Sequence, residues 1–566
     1  MDPNIFQLQI TNILGGESPS QNIFDNGQFM QSLGIDPDAP QDQSDTNGNG
    51  TFLSISQGIK PSGLIRPIAS GTYSNNASRL IMWTVGNPKN GSVFTYDNNG
   101  SVYAIEDLYT GGYLTGVTDL NDGGSADGNG MEYYDNYIYA SRDTTIARYG
   151  PLDGTPTWTD DYWVNTLSKT ALSNTVYPTP DVLSTLYNFP NHVLKRHRGV
   201  LYIADVVDNQ GYLHTIQTSK NTVEGDTDNG STYLKLRFPY GYWPTSIESY
   251  GEGLVVSLFE GASGNLINLR SRAKIAFWDT TSENYNQLIE FEFPDPIISR
   301  IINVNGYLYI ISGSVNYEGG TRVSRYLGGN SFEQIAFIDR NTLPPHDAVD
   351  QALSRLFIGG SFVSDDSSNG VAVVKSIGTS LTPMQGIFSV IGARSTSVAG
   401  PITSLKSIPF PSNAARGYMS RLPIFAWYDG SIGASKVSYP DNSGSGFSTY
   451  NNIFRSQLFT LGQSFQIDKV RIPILHPLRE VNTSTGLKQI TLKIYTDDGR
   501  SEYTQQTINN TNYPQRSGND PRTIVIKPTN CIGERNFFLE FTWESDELIT
   551  LGLPIGIEGH YIQDHE

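Results

Sequence analysis

The sequence has almost no cysteine, little charge and no long apolar run. With Cys531 as its single cysteine, no disulfide can form within the chain. No stretch is apolar enough for long enough to make a membrane-crossing helix. The opening residues, Met1 to Gln7, carry neither a basic region nor an apolar core. They therefore predict no secretory signal and folding in a reducing cytoplasm. Charged residues make up only 17 %, and 38 basic against 56 acidic side chains leave a net charge of −18. That balance disfavours nucleic acid and anionic membrane as partners, because both need clustered Lys and Arg.

Recognisable chemistry is missing as well. There is no His-Glu-x-x-His, no Gly-x-Ser-x-Gly elbow, no P-loop and no dinucleotide fingerprint. Repeated Ser-x-Asp-x-Gly-x-Thr-Trp boxes are also absent. The histidines are His192, His197, His214, His346, His476, His560 and His565. His192 and His197 lie close in sequence, and the histidines read as ordinary surface or loop residues rather than metal ligands. The acidic neighbours Asp160 and Asp161 read as solvated loop carboxylates, since sequence alone pairs no two carboxylates across a bond. Asp365 to Gly370 offers oxygen side chains of the kind calcium takes. Ser376, however, stands where an EF-hand would need its bidentate Glu, so the loop reads as an Asx turn. Asp119 to Gly124 is a looser version of the same loop. The expectation is a protein that is not an enzyme, with no catalytic residue, no cofactor and no metal site.

What the chain does have is aromatics (32 Tyr, 25 Phe) and breakers (56 Gly, 30 Pro). Such a mixture favours strands and turns. At 566 residues the chain is too long for one core. Residues 1–59 form an acidic leader containing Asp2, Glu17, Asp25, Asp36, Asp38, Asp42 and Asp45, with no base before Lys60. Ile5, Phe6, Leu8, Ile10 and Ile13 are too apolar for a free tail. An extended arm is expected there, lying on its own body or on a neighbouring subunit.

From 60 to 452 a polar turn repeatedly precedes a short apolar strand. Examples are Asp135-Asn136 before Tyr137–Ala140, Arg198-Gly199 before Val200–Ala204, and Asn305-Gly306 before Tyr307–Ile311. Gly251-Glu252-Gly253 and Ser354-Arg355 do the same before Leu254–Leu258 and Leu356–Gly359. Leu80–Val85 and Pro423–Trp427 complete the series. A spacing of roughly 50 to 70 residues suits one four-stranded blade with its loops, and the strands number about seven. A single blade cannot bury both faces of its sheet, so a β-propeller of about seven blades is predicted. Residues 453–566 show cleaner alternation, as in Lys469–Ile474 and Gln489–Tyr495, and predict a C-terminal β-sandwich or jelly roll. The fold class is thus all-β.

A resemblance adds to this reading. The phrases Ile10-Thr11-Asn12-Ile13-Leu14-Gly15-Gly16, Gly27-Gln28-Phe29, Ser32 to Asp38 and Ser62-Gly63-Leu64-Ile65-Arg66-Pro67 resemble the opening of tail-associated structural proteins of tailed bacteriophages. The likeness covers about the first 70 residues and carries no catalytic motif. It implies a virion protein assembled in the host cytoplasm, in the tail or its connection to the head. Its partners would be other virion proteins and copies of itself. The alternative is host recognition, with the sandwich binding a surface glycan through aromatics such as Tyr503, Tyr513 and Tyr561.

Overall fold

The computed structural model describes residues 4–11, 13, 16–17, 28–33, 35–41, 54–61, 64–67, 81–88, 93–97, 102–105, 117–119, 130–141, 145–164, 192–207, 210–217, 222–224, 234–260, 272–313, 320–338, 343–352, 355–360, 370–377, 380–389, 399–409, 421–429, 434–441, 452–474, 489–497, 501–508, 522–544 and 551–562.

Among these residues the chain is an all-β protein, a propeller followed by a sandwich. Seven antiparallel sheets follow one another along the sequence. Their innermost strands are Ile81–Gly86, Gly130–Tyr134, Leu194–His197, Tyr242–Tyr250, Ile297–Val304, Val349–Ala352 and Ala399–Pro409. Each touches the next, and the seventh returns to the first, so the sheets form a closed ring of blades. The seventh blade takes its outermost strand from the leader side of the chain: Leu64–Pro67 pairs antiparallel with Ala434–Asp441. First and last parts of the ring are therefore joined in one sheet, which closes the circle by backbone hydrogen bonds.

The turns behave as their chemistry requires. Asp135-Asn136, Arg198-Gly199 and Asn305-Gly306 all take positive φ between directly paired strand ends. Two such residues match the twist of the flanking strands, which is why Asn, Asp and Gly collect there. The hairpin opens onto a second strand with almost no exposed position. Leu254 to Phe259 and Leu308 to Gly313 are buried without interruption, because neighbouring blades cover both faces. Burying such a side chain contributes roughly 1.5–3 kcal/mol.

The sandwich has one large apolar core that includes Phe465, Ile472, Phe537, Phe541, Trp543 and Ile557. The leader helps to build it. Phe6, Ile10, Ile13 and Phe29 are buried in that same core. Ile5–Ile10 pairs antiparallel with Ile555–Tyr561, from Ile5 opposite His560 to Ile10 opposite Ile555. The Phe6 ring packs against Phe465 and Tyr561. A Cβ at Gly559 would strike that ring, so the residue facing Phe6 is the one that leaves it room. Ser54–Pro61 pairs with Leu551–Gly552. Gln31–Leu33 lies between Ser380–Ser389 of the sixth blade and Asn452–Arg455.

The strand pairing shows where the expected arm lies. Of the two supports considered for it, these strands lie on the chain's own body. The physical reason is the leader's alternating apolar residues, which fill positions that the C-terminal strands alone leave open.

Candidate functional site at the propeller axis

The innermost strands carry polar residues where blades converge. Blade by blade they include Thr84, Glu132, Lys195, Glu248, Arg300, Asp350, and Ser404 with Lys406, while His346 and Asp347 sit in the single 3-10 turn that leads into the sixth blade's inner strand. From the second blade to the seventh the charged residues alternate in sign. Such groups are costly to bury alone, and they engage one another across blade boundaries. Lys195 Nζ donates to Glu248 Oε1 at 2.7 Å, joining the third blade to the fourth. Asp350 accepts the Ser407 N–H at 2.7 Å, joining the sixth to the seventh.

Asp347 is the centre of the seam between the last blades and the first. Its Oδ2 accepts the Thr84 N–H at 2.8 Å and the Ser404 hydroxyl at 2.6 Å. Its Oδ1 faces Lys406 Nζ at 3.4 Å. The Thr84 and Ser404 hydroxyl oxygens are themselves 2.8 Å apart. One carboxylate therefore ties three blades together at the point where the ring closes. Burial pushes its pKa up, and the Lys406 ammonium, the Ser404 hydroxyl and the Arg300 charge oppose that rise. Burial acts on Lys406 in the lowering direction, but the Asp347 and Asp350 carboxylates outweigh it and raise its pKa.

Arg300 and His346 complete the group. The Arg300 Nη1 lies 2.9 Å from His346 Nε2 and 3.1 Å from Nδ1. The imidazole also packs against Trp83, with centroids 5.4 Å apart. Burial first, then the charges of Arg300, Lys406 and Lys195, drive the His346 pKa well below its ordinary value. It is a neutral ring beside a cation, suited to packing rather than to proton transfer at neutral pH.

A second polar cluster lies within the third blade. Asp205 Oδ1 receives His192 Nε2 at 2.9 Å and its neighbour's N–H, that of Val206, at 2.8 Å. His214 Nε2 is 3.6 Å from Oδ2. Burial works to raise this carboxyl, yet the two imidazoles beside it hold it far below the usual carboxylate range. Around the hairpin turns, further bonds lace the blades. Tyr134 Oη donates to Gly199 O at 2.7 Å, His197 Nε2 lies 3.0 Å from Glu252 O, and Asn303 Nδ2 donates to Ser249 O at 3.1 Å.

These placements correct the reading of the histidines as ordinary surface or loop residues. His197, His214 and His346 are buried, and His192 is engaged with Asp205. His560 is half-exposed and bonds Asp468 at 2.8 Å, while His476 and His565 lie outside the described residues. No triplet of His, Cys, Asp or Glu among the described residues is arranged to hold a metal ion. Asp160 is exposed and accepts the Trp158 indole N–H at 2.6 Å. The candidate calcium loop at Asp365 to Asn369 lies outside the described residues. So do most of Asp119 to Gly124, and Tyr513. Tyr561 is only partly exposed and packs on Phe6.

Sequence reasoning did not single out the axial residues. The signal available was one polar residue set two or more positions before each hairpin turn, as in Glu132, Lys195, Glu248 and Asp350.

No family model matches the chain, and no curated protein matches it. Solved structures similar to it include the WD40 repeats of RRP9, at 14 % identity over 67 % of this chain and 99 % of that one, with a TM-score of 0.41. A β-propeller domain from Myceliophteria thermophila matches at 11 % identity over 67 % and 100 %, with a TM-score of 0.37. An exo-β-1,3-galactanase from Phanerochaete chrysosporium matches at 11 % identity over 64 % and 94 %, with a TM-score of 0.26. Identities this low speak only to fold, and the ring of blades rests on the strand pairing itself.

Proposed function

We propose that this chain is a non-enzymatic structural component of a tailed-phage virion, acting in the tail or its connection to the head through protein–protein contacts. The observation that carries the reading is the way its polar axis is used. Glu248 holds Lys195, Asp350 holds a backbone N–H, and Asp347 holds two donors and faces Lys406. Carboxylates committed to closing a ring are a building block's use of charge. The leader phrases point the same way, and its strands tie both ends of the chain into one sheet. Partners on this reading are other virion proteins and further copies of the chain, with assembly in the host cytoplasm. The test is protein mass spectrometry of purified particles, followed by a particle reconstruction. The chain is expected at a fixed copy number in a symmetric position. Its absence from particles would refute the reading. The alternative, glycan recognition through the sandwich, loses Tyr561 as a free stacking platform because that ring packs on Phe6.

A further inference from the structure

The leader strand Ile5–Ile10 is the outermost strand of its sheet among the described residues. Sheet edges in natural proteins are normally blunted by charge, proline, a bulge or a cover. This edge has none of the first three. The strand is Ile-Phe-Gln-Leu-Gln-Ile, and its register against Ile555–Tyr561 runs without a break.

Its hydrogen-bond parity can be read directly. Tyr561 donates to Asn4 O at 2.8 Å, which makes Asn4 and Tyr561 a closely bonded pair. In an antiparallel ladder such pairs alternate, so Phe6, Leu8 and Ile10 spend their backbone groups on the C-terminal strand. The N–H and C=O groups of Ile5, Gln7 and Gln9 point the other way, out of the sheet. The side chains of the same three residues are exposed, Ile5 by 53 %.

We infer that this edge pairs antiparallel with the same edge of a second copy of the chain, across a two-fold axis at Gln7. That register sets Gln7 opposite Gln7 and Ile5 opposite Gln9, so every outward amide and carbonyl of the three residues finds a partner. It also keeps faces matched, with Phe6 opposite Leu8 on the inward side. A shift by one residue would break both conditions. Charge selects this spot too. Two chains of net charge −18 repel, and an uncharged strand lets their backbones meet without like charges directly opposed. The inference rests on the assembly reading for its purpose, but not for its geometry.

The test uses the purified full-length chain in solution. Sedimentation equilibrium is expected to show a dimer. Gln7→Pro removes one outward N–H and leaves the bonds to the C-terminal strand intact. Gln7→Lys places two ammonium groups face to face. Each variant is expected to raise the dimer dissociation constant by about tenfold or more while the melting temperature holds. Gln7→Cys is expected to crosslink under a copper–phenanthroline oxidant, since bonded antiparallel pairs put Cα atoms within disulfide reach. Gln9→Cys, facing Ile5, is expected to stay monomeric on a non-reducing gel. The native Cys531 is buried, with its thiol pushed up to about 12 by burial, and does not compete. A monomer throughout, a dimer indifferent to both Gln7→Pro and Gln7→Lys, or equal crosslinking at Gln9 would overturn the pairing. A monomer that is nevertheless present in purified particles refutes only the pairing. A dimer absent from particles refutes only the virion role.

Discussion

The propeller and the sandwich solve the same problem, closing a β-structure, with opposite materials. The ring closes on buried charge: Asp347, Lys406, Ser404 and Thr84 meet at the seam of the last and first blades. The sandwich closes on aromatic and branched side chains, with the leader's Phe6, Ile10, Ile13 and Phe29 set among Phe465, Phe537 and Trp543. The difference follows from geometry. Inner strands converge at an axis, where polar side chains reach partners on the next blade, as Lys195 reaches Glu248, in place of a deep layer of bulky apolar groups. Two stacked sheets leave a layer about 10 Å thick that only such groups fill. Polar closure gives fixed neighbours, whereas apolar closure gives area.

Removing one group from each region and measuring urea unfolding separates the two modes of closure. Asp347→Ala strands the Thr84 N–H and leaves the half-buried Lys406 without its Asp347 partner, and is expected to cost about 3–5 kcal/mol. Phe6→Ala empties a sandwich position against Phe465 and Gly559, and is expected to cost about 3 kcal/mol. If Asp347→Ala proves the milder of the two, the seam is not held by charge. The two changes are also expected to add, since they lie in different cores.

Acid sharpens the same contrast at smaller scale. His346 has a folded pKa well below its ordinary 6.5, so the unfolded chain takes the proton first. Stability is therefore full above pH 6.5 and falls as pH drops below it, at about 1.4 kcal/mol per pH unit for one proton. Asp205, held low by its imidazoles, adds a further loss once pH falls below about 3.8, the ordinary value of its carboxyl. His346→Asn is expected to flatten the first of these slopes in a pH series of melts. An unchanged slope would mean that another group carries it. The smallest expected effect is at the turn pair Arg198–Glu252, which is largely exposed. Arg198→Ala should leave the melting temperature unchanged.

The sequence announced these regions unequally. The second strands of the blades were legible: Tyr137–Ala140, Val200–Ala204, Leu254–Leu258 and Tyr307–Ile311 stand where predicted, because burial on both faces makes them continuous apolar runs. The turns before them were legible for the same local reason, a need for positive φ. The inner strands were not. Leu194-Lys195-Arg196-His197 and Ile297-Ile298-Ser299-Arg300 look half-polar, and only the ring brings Lys195 and Arg300 to partners 53 and 46 residues away. For the leader, docking was legible but the choice of support was not. Its apolar residues marked it as docked, but pairing between Ile5–Ile10 and a strand at the far end of the chain has no local signal.

On this reading the leader belongs to its own sandwich, and the ring stands closed without residues 1–59. Hydrogen exchange, followed by mass spectrometry on the full chain and on a chain lacking 1–59, tests it most directly. Protection is expected to be lost in Phe465–Ile474 and Ile555–Tyr561 and unchanged in Gly253–Glu260 and Tyr307–Gly313. Equal protection of the sandwich strands in both chains would contradict it.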